Sequence, residues 1–157
     1  MEKAFKESAG KTVDVVVEQE VPGVTPEMFY WWLRGPISTH YKLWYPEAHL
    51  SITLEFPPGG GPPISIIEEY VGAYYTLFRF LPQEEAGSVI MLTSDNKPMG
   101  KLVHIAEPSP KGMKLRSTFT FPAKTPAAFR DSMYGHCITE MQDLPRFLPG
   151  LYKQKAK

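Results

Sequence analysis

From residue 50 to residue 121 six β-prone segments follow one another, each parted from the next by a turn rich in Pro, Gly, Asn or Asp. The segments are 50–56, 64–72, 74–81, 88–93, 101–106 and 113–121. Their intervals include Pro57-Pro-Gly-Gly-Gly-Pro-Pro63, a second turn over 82–87, Asp95-Asn-Lys-Pro98 and Pro108-Ser-Pro-Lys-Gly112. Spacing of this kind specifies an antiparallel meander. A seventh strand precedes it at 12–20, an alternating run rich in β-branched valine.

Helices flank the meander. Thr25 offers an N-cap, Pro26 the first helical position and Glu27 an acidic first turn, so a helix is predicted through Leu33 and stopped by Gly35-Pro36. A second short helix is predicted over 38–43. Thr125-Pro126 repeats the cap-then-proline signal and opens a final helix reaching about residue 144 or 147. Its apolar stripe is Phe129, Met133, Ile138, Met141 and Leu144. The order is strand, two short helices, six strands and a long helix. A curved α+β sheet of about seven strands around the helix satisfies it. This order resembles the helix-grip fold of Bet v 1 and START-like proteins, which implies a deep apolar cavity between sheet and helix. A length of 157 residues favours a single domain over 1–157, with frayed ends at 1–10 and 151–157.

Composition removes several classes of function. Seventeen basic residues balance seventeen acidic ones, and only the tail 153–157 is locally basic. That balance argues against a nucleic-acid or anionic-membrane partner. Cys137 is the sole cysteine, so no internal disulfide forms and a reducing, cytoplasmic location is expected. No apolar run approaches the ~20 residues of a spanning helix, and the first residues lack the apolar segment of a signal peptide.

Chemistry concentrates in two places. His136 and Glu140 stand four residues apart in the final helix, so both side chains leave one face, one turn apart. A neutral imidazole and a carboxylate so placed can close on one divalent ion. The second place is Thr39-His-Tyr-Lys-Leu-Trp-Tyr-Pro-Glu-Ala-His49, dense in groups able to bind or orient a ligand. Together with Trp31-Trp32 and the helical pair, this run resembles the 2,4-diacetylphloroglucinol hydrolase family. That family cleaves a carbon–carbon bond in an acylated phenol with a divalent metal, normally zinc, held by two histidines and two glutamates.

The resemblance spans residues 21–147 and implies His49, His136 and Glu140 as metal ligands. The fourth falls on Glu68 or Glu69, which point to opposite faces of a strand. Glu69 is favoured, because it shares its face with Ile67 and Val71. Tyr41, eight residues before His49, falls where the family holds the substrate's phenolic oxygen. Ile52 stands where a polar substrate contact is expected, which separates this chain from the phloroglucinol substrate itself. The family's extra N-terminal portion is also nearly missing, and the strand loops look shorter.

Other residues carry alternatives. His49 on a regular strand would share its face with Ser51 and Thr53, so either that wall is polar or a bulge re-aims the chain. His104 alternates with Leu102 and Ala106, and reads as structural unless it faces the metal, where it would be the proton donor. His40 is expected to be partly exposed. Cys137 adjoins His136, but helical neighbours diverge by ~100°, so a small buried cysteine is favoured over a nucleophile. Gly59-Gly-Gly61 is a hairpin loop. One of Tyr74 and Tyr75 could reach the cavity. Arg79 and Arg116 fit an anion site or an exposed strand face equally well. Trp31, Trp32 and Trp44 read as core.

The resemblance, with these residues, implies a metal-dependent hydrolase cleaving a carbon–carbon bond, in a retro-Claisen manner, in a small acylated phenol or β-diketone-like substrate. Two rivals stand beside it: a hydrophobic-ligand carrier without chemistry, and a metal-free polyketide cyclase or aromatase. A homodimer is the one assembly considered for the chain.

Overall fold

The computed structural model describes residues 1–155. The elements are α1 (Glu2–Ser8), β1 (Thr12–Pro22), α2 (Pro26–Leu33), α3 (Pro36–His40), a 3-10 turn (Tyr41–Leu43), β2 (His49–Glu55), β3 (Ile64–Val71), β4 (Tyr74–Pro82), β5 (Ser88–Leu92), β6 (Pro98–Ser109), β7 (Gly112–Pro122) and α4 (Ala127–Gln154). The seven strands form one sheet in the order β1-β7-β6-β5-β4-β3-β2, every neighbouring pair antiparallel. The meander from β2 to β7 is therefore continuous, and β1 closes it beside β7. This is the helix-grip architecture.

α4 lies against β1 and β3 and closes the concave side of the sheet. Phe129, Met133, Met141 and Leu144 are buried along it, with Ile138 half-buried at the stripe's margin. Phe29 and Trp32 of α2 are fully buried, and Trp32 packs edge-on against Trp44 with centroids 6.1 Å apart. Each such aromatic contributes on the order of 2–3 kcal/mol of hydrophobic stabilisation. Among the described residues no helix is long and apolar enough to cross a membrane.

Several local expectations are corrected. The N-terminal stretch is not frayed over 2–8. It is helical, and long-range bonds tie it down: Ser8 Oγ accepts from Lys124 N at 2.8 Å, and Glu2 Oε1 from Ser94 N at 2.6 Å. α2 ends at Leu33, ahead of Gly35-Pro36 as expected, but α3 then starts at Pro36 and not at 38, because a proline at the first helical position gives up no hydrogen bond. Thr25 caps α2 as its sequence requires, accepting from Met28 N at 3.3 Å. Thr125 does not cap α4; Pro126 holds that position without a side-chain bond, and Thr125 is buried. β6 starts at Pro98 and runs to Ser109, absorbing both flanking turn residues.

The largest correction concerns the length of α4. It continues through Pro145 and Pro149 to Gln154. Each proline removes a backbone donor, but packing outweighs the loss. Leu144 and Leu148 are fully buried, Tyr152 meets Trp31 edge-on at 5.2 Å, and its hydroxyl donates to Glu27. The tail expected to fray over 151–157 is helical to Gln154, and residues 156–157 lie outside the described residues.

Candidate metal centre in the cavity floor

The strand pair β2–β3 sets the first half of the site. His49 stands directly opposite Glu69, and the register then shifts so that Ser51 faces Glu68. Residues opposed in an antiparallel pair share a face, so His49 and Glu69 both point inward. The extra residue in the shift is a β-bulge. It lets Ile52 and Leu54 face the cavity as His49 does, while Ser51 turns outward and donates to Glu68 Oε2 at 3.0 Å. Glu68 also accepts from Tyr75 OH at 2.6 Å on that outer face. The bulge is what reconciles an inward His49 with an apolar wall.

The second half is α4. His136 and Glu140 leave its inner face and are buried, 5 % and 7 % exposed. A cluster of bonds locks the loop before β2 onto this helix. Trp44 Nε1 donates to the Glu140 carbonyl at 2.5 Å, Tyr45 N donates to Asp143 Oδ2 at 2.8 Å, and Arg146 Nη2 donates to the Leu43 carbonyl. Tyr45 takes a left-handed backbone, φ 47°, and its carbonyl accepts from His49 N at 3.0 Å. Trp44, Tyr45, Asp143 and Arg146 thus fix the distance between strand and helix ligands. Sequence reasoning read Trp44 as core, quoted Tyr45 only within the ligand-dense run, and passed over Asp143 and Arg146, whose spacing on one helix face was the available signal.

His49 Nε2 lies 3.2 Å from Glu140 Oε2 and 3.7 Å from Glu69 Oε2. His136 Nε2 lies 3.5 Å from Glu140 Oε2 and 3.7 Å from Glu69 Oε1. The two imidazole centroids are 5.5 Å apart. One ligand atom each from His49, His136 and Glu140 falls within 4.8 Å of the others. Glu69 is the outer member, reaching the two histidines through different oxygens.

None of these approaches is aligned as a hydrogen bond at the imidazoles, and both ring nitrogens of His49 and of His136 are buried without a hydrogen-bond partner. Leaving a buried polar atom unpaired is costly. Each imidazole Nε2 lies 3.2–3.7 Å from one oxygen of Glu140 and one of Glu69, close to the ~3.4 Å ligand-to-ligand edge expected around an ion with ~2.1 Å zinc-type bonds. The residues present therefore fit a divalent ion.

The electrostatics agree with that fit. Burial pushes the Glu69 carboxyl up, with His136 and His49 opposing and Glu140 adding to the rise. Burial works the same way on Glu140, but the close approach and charge of His136 and His49 outweigh it and draw that carboxyl down. Two carboxylates in one buried pocket are split in this manner when they share cationic partners. Burial opposes protonation of His136, yet Glu140 and Glu69 raise it overall. Tyr41 stacks on His49 and donates its hydroxyl to Glu69 Oε2. Its phenol is held well above the ordinary range, chiefly by burial and then by the Glu69 charge.

These groups floor a cavity of about 460 Å³ lined by Tyr41, Trp44, Glu69, His136 and Glu140, and above them by Ile52, Ile67, Phe78 and Phe119. His104 lines it too. Its Nδ1 pairs with Ser117 Oγ at 2.8 Å, and burial drives its pKa down to about 4. His40 is half-buried and bonds locally to Thr39.

Other candidates fall outside. Neither Tyr74 nor Tyr75 lines the cavity: Tyr74 shares the inner face of β4 with Phe78 and Phe80 but packs on Phe129 at the strand's end, and Tyr75 points outward and holds Glu68. Arg79 is clamped by Glu55 at 2.8 and 3.0 Å, and Arg116 pairs with Glu18 at 3.3 Å. Cys137 is fully buried, and burial pushes its thiol up, so it offers no thiolate.

With this geometry in hand, comparison with known proteins is specific. The first 76 residues match the family model of the DAPG hydrolase PhiG domain. The resemblance to the diacetylphloroglucinol hydrolases stands on that stretch, which carries Tyr41, His49 and Glu69. His136 and Glu140 lie beyond the matched residues. None of the curated proteins matches the chain in sequence. Solved structures share the fold. Ara h 8.0201 is 14% identical, covers 88% of this chain and 98% of its own, and superposes with a TM-score of 0.62. A Thalictrum norcoclaurine synthase mutant bound to a transition-state analogue is 14% identical over 91% of this chain and 98% of its own, TM-score 0.56. A protein of Nitrosomonas europaea is 16% identical over 92% and 97%, TM-score 0.54. At such identities the likeness is one of fold, a Bet v 1-like sheet and helix.

Proposed function

We propose that this chain is a metal-dependent hydrolase that cleaves a carbon–carbon bond beside a carbonyl in a small acylated phenol or β-diketone. The observation that carries the reading is the convergence of His49, Glu69, His136 and Glu140, all buried, from two strands and one helix onto one point. The DAPG hydrolase match over residues 1–76 supports the reaction class. A carrier would leave four buried ionisable side chains converging for no purpose, at a cost to stability.

A divalent ion held by the four residues would activate water at neutral pH and polarise the acyl carbonyl. The rest falls to the chain's own residues. Tyr41, fixed by its stack on His49 and its bond to Glu69, keeps that carboxylate oriented and presents its ring to the cavity. His104 is neutral near pH 7, so it orients a substrate oxygen through Nε2 instead of delivering a proton as imidazolium. The apolar wall excludes bulk water from the leaving carbon. One water is consumed: its oxygen joins the acyl carbon, the carbon–carbon bond breaks, and a proton from water ends on the expelled carbon. The products are a carboxylic acid and the shortened ketone or phenol.

The test is elemental analysis of the purified protein, followed by zinc titration calorimetry. About one equivalent of zinc per chain supports the site. Protein that arrives metal-free and takes up no zinc, cobalt or manganese sinks it, and the carrier reading then replaces it.

A further inference from the structure

Resting on that hydrolase reading, we infer that the cavity selects a substrate whose oxygens gather at one end and whose remaining body is hydrocarbon. An aryl or alkyl 1,3-diketone fits this description better than a polyhydroxylated acylphenol. The register of the sheet carries the inference. The floor rung is His49 opposite Glu69. The next inward rung is Ile52 opposite Ile67 opposite Phe78, and the one beyond is Leu54 opposite Ser65 opposite Phe80. At ~3.4 Å per residue the wall runs about 14 Å from Glu69 to Ser65. Its middle rung offers no donor or acceptor at all.

The facing wall repeats the pattern. Val89, Leu102 and Phe119 are register partners across β5, β6 and β7, and all three line the cavity. His104 belongs with the floor. It pairs with Ser117 at 2.8 Å. Above the middle rung polar groups return, first the half-buried hydroxyls of Ser38, Ser65 and Ser88 and then the exposed Arg34, Gln83 and Glu84. A ligand entering past the rim therefore meets two apolar walls before the oxygen-binding end. Ring hydroxyls distributed around an aromatic ring would lie against Ile52, Ile67 or Phe119 and lose their water without a partner. A volume of about 460 Å³ holds about fifteen water-sized units at ~30 Å³ each, room for a one-ring diketone.

The test compares 1-phenylbutane-1,3-dione with 2,4,6-trihydroxyacetophenone, two acetyl compounds equal in non-hydrogen atoms. Each is titrated into zinc-loaded and metal-free protein, read by tryptophan fluorescence, since Trp44 lines the site. The diketone is expected to bind about fivefold tighter or better, the least that burying an unpartnered hydroxyl costs. Equal or tighter binding of the trihydroxy compound overturns the inference. Ile52→Asn should narrow the gap by strengthening the polyphenol side, and Ile67→Asn serves if the first variant fails to fold. An unchanged gap in a folded variant counts against the middle rung as the selector. Turnover, read as benzoate or acetate release, is scored separately. Diketone preference without turnover supports the inference and sinks the hydrolase reading, whereas faster turnover of the polyphenol does the reverse.

Discussion

Tyr41 lies face to face on His49, ring centroids 4.2 Å apart and planes within 4° of parallel. The stack fixes the imidazole plane, and the same tyrosine donates its hydroxyl to Glu69. One side chain thus orients one strand ligand by packing and another by hydrogen bonding. Tyr41→Phe keeps the stack and removes the donor, leaving a carboxylate oxygen unpaired in the floor. We expect metal affinity to fall 10–100-fold, the usual effect of losing such an outer partner, with global stability lowered by about 1–3 kcal/mol. Zinc calorimetry and thermal melts measure the two. Unchanged affinity would show that Glu69 needs no such partner.

Glu68 and Glu69 give a paired control on one strand. Glu68 points outward to Ser51 and Tyr75, Glu69 inward to Tyr41 and the histidines. Glu68→Gln should leave zinc affinity within about twofold, since it changes only exposed hydrogen bonds. Glu69→Gln should weaken zinc binding by tenfold or more, because an amide is a poor substitute for an anionic ligand. The opposite order would mean that the register at the bulge differs from that described.

Metal binding should be visible as stability. Zinc at about 100 times its dissociation constant adds about 2.7 kcal/mol. For a chain of this length that corresponds to a melting shift on the order of 5–10 °C. His136→Ala should abolish the zinc-induced shift while the metal-free variant still melts cooperatively. A full shift in that variant would show that the helical pair does not bind the ion.

His104 predicts an acid-sensitive window. Its folded pKa lies near 4, lowered from 6.5 by burial. Below pH 6.5 the unfolded chain takes up a proton that the folded chain refuses, so stability falls as pH drops from 6.5 towards 4. The loss approaches about 3 kcal/mol at the bottom of the window. His104→Gln, compared with the parent by urea unfolding at pH 7 and pH 4.5, should lose less stability on acidification. An identical loss in both proteins would assign the acid sensitivity to other groups.

Legibility in the sequence differed from residue to residue. The strand pattern with its turn punctuation specified the meander, and the Thr25-Pro26 signal specified α2, because both depend on neighbours in the chain. The spacing of His136 and Glu140 placed them on one helical face for the same reason. The Thr125-Pro126 signal failed as a cap, since burial of Thr125 overrode a local preference. Pro145 and Pro149 each remove a donor from the helix interior, yet the long-range packing of Leu144, Leu148 and Tyr152 carried α4 past them and past the expected end near 144 or 147.

By itself, then, the sequence determined element order, the face shared by His136 and Glu140, and the alternation that sets Glu68 against Glu69. Each follows from the repeat of a helix or a strand, which needs no knowledge of what lies across the fold. The tertiary structure alone decided which face of β3 turns inward, through the bulge between His49 and Ser51 that brings His49 opposite Glu69. It alone set the separation of strand and helix ligands, through Trp44, Tyr45 and Arg146 bonded to or from α4. Contacts between residues about a hundred positions apart leave no periodic trace in the chain, and they exist only once sheet and helix have closed on each other.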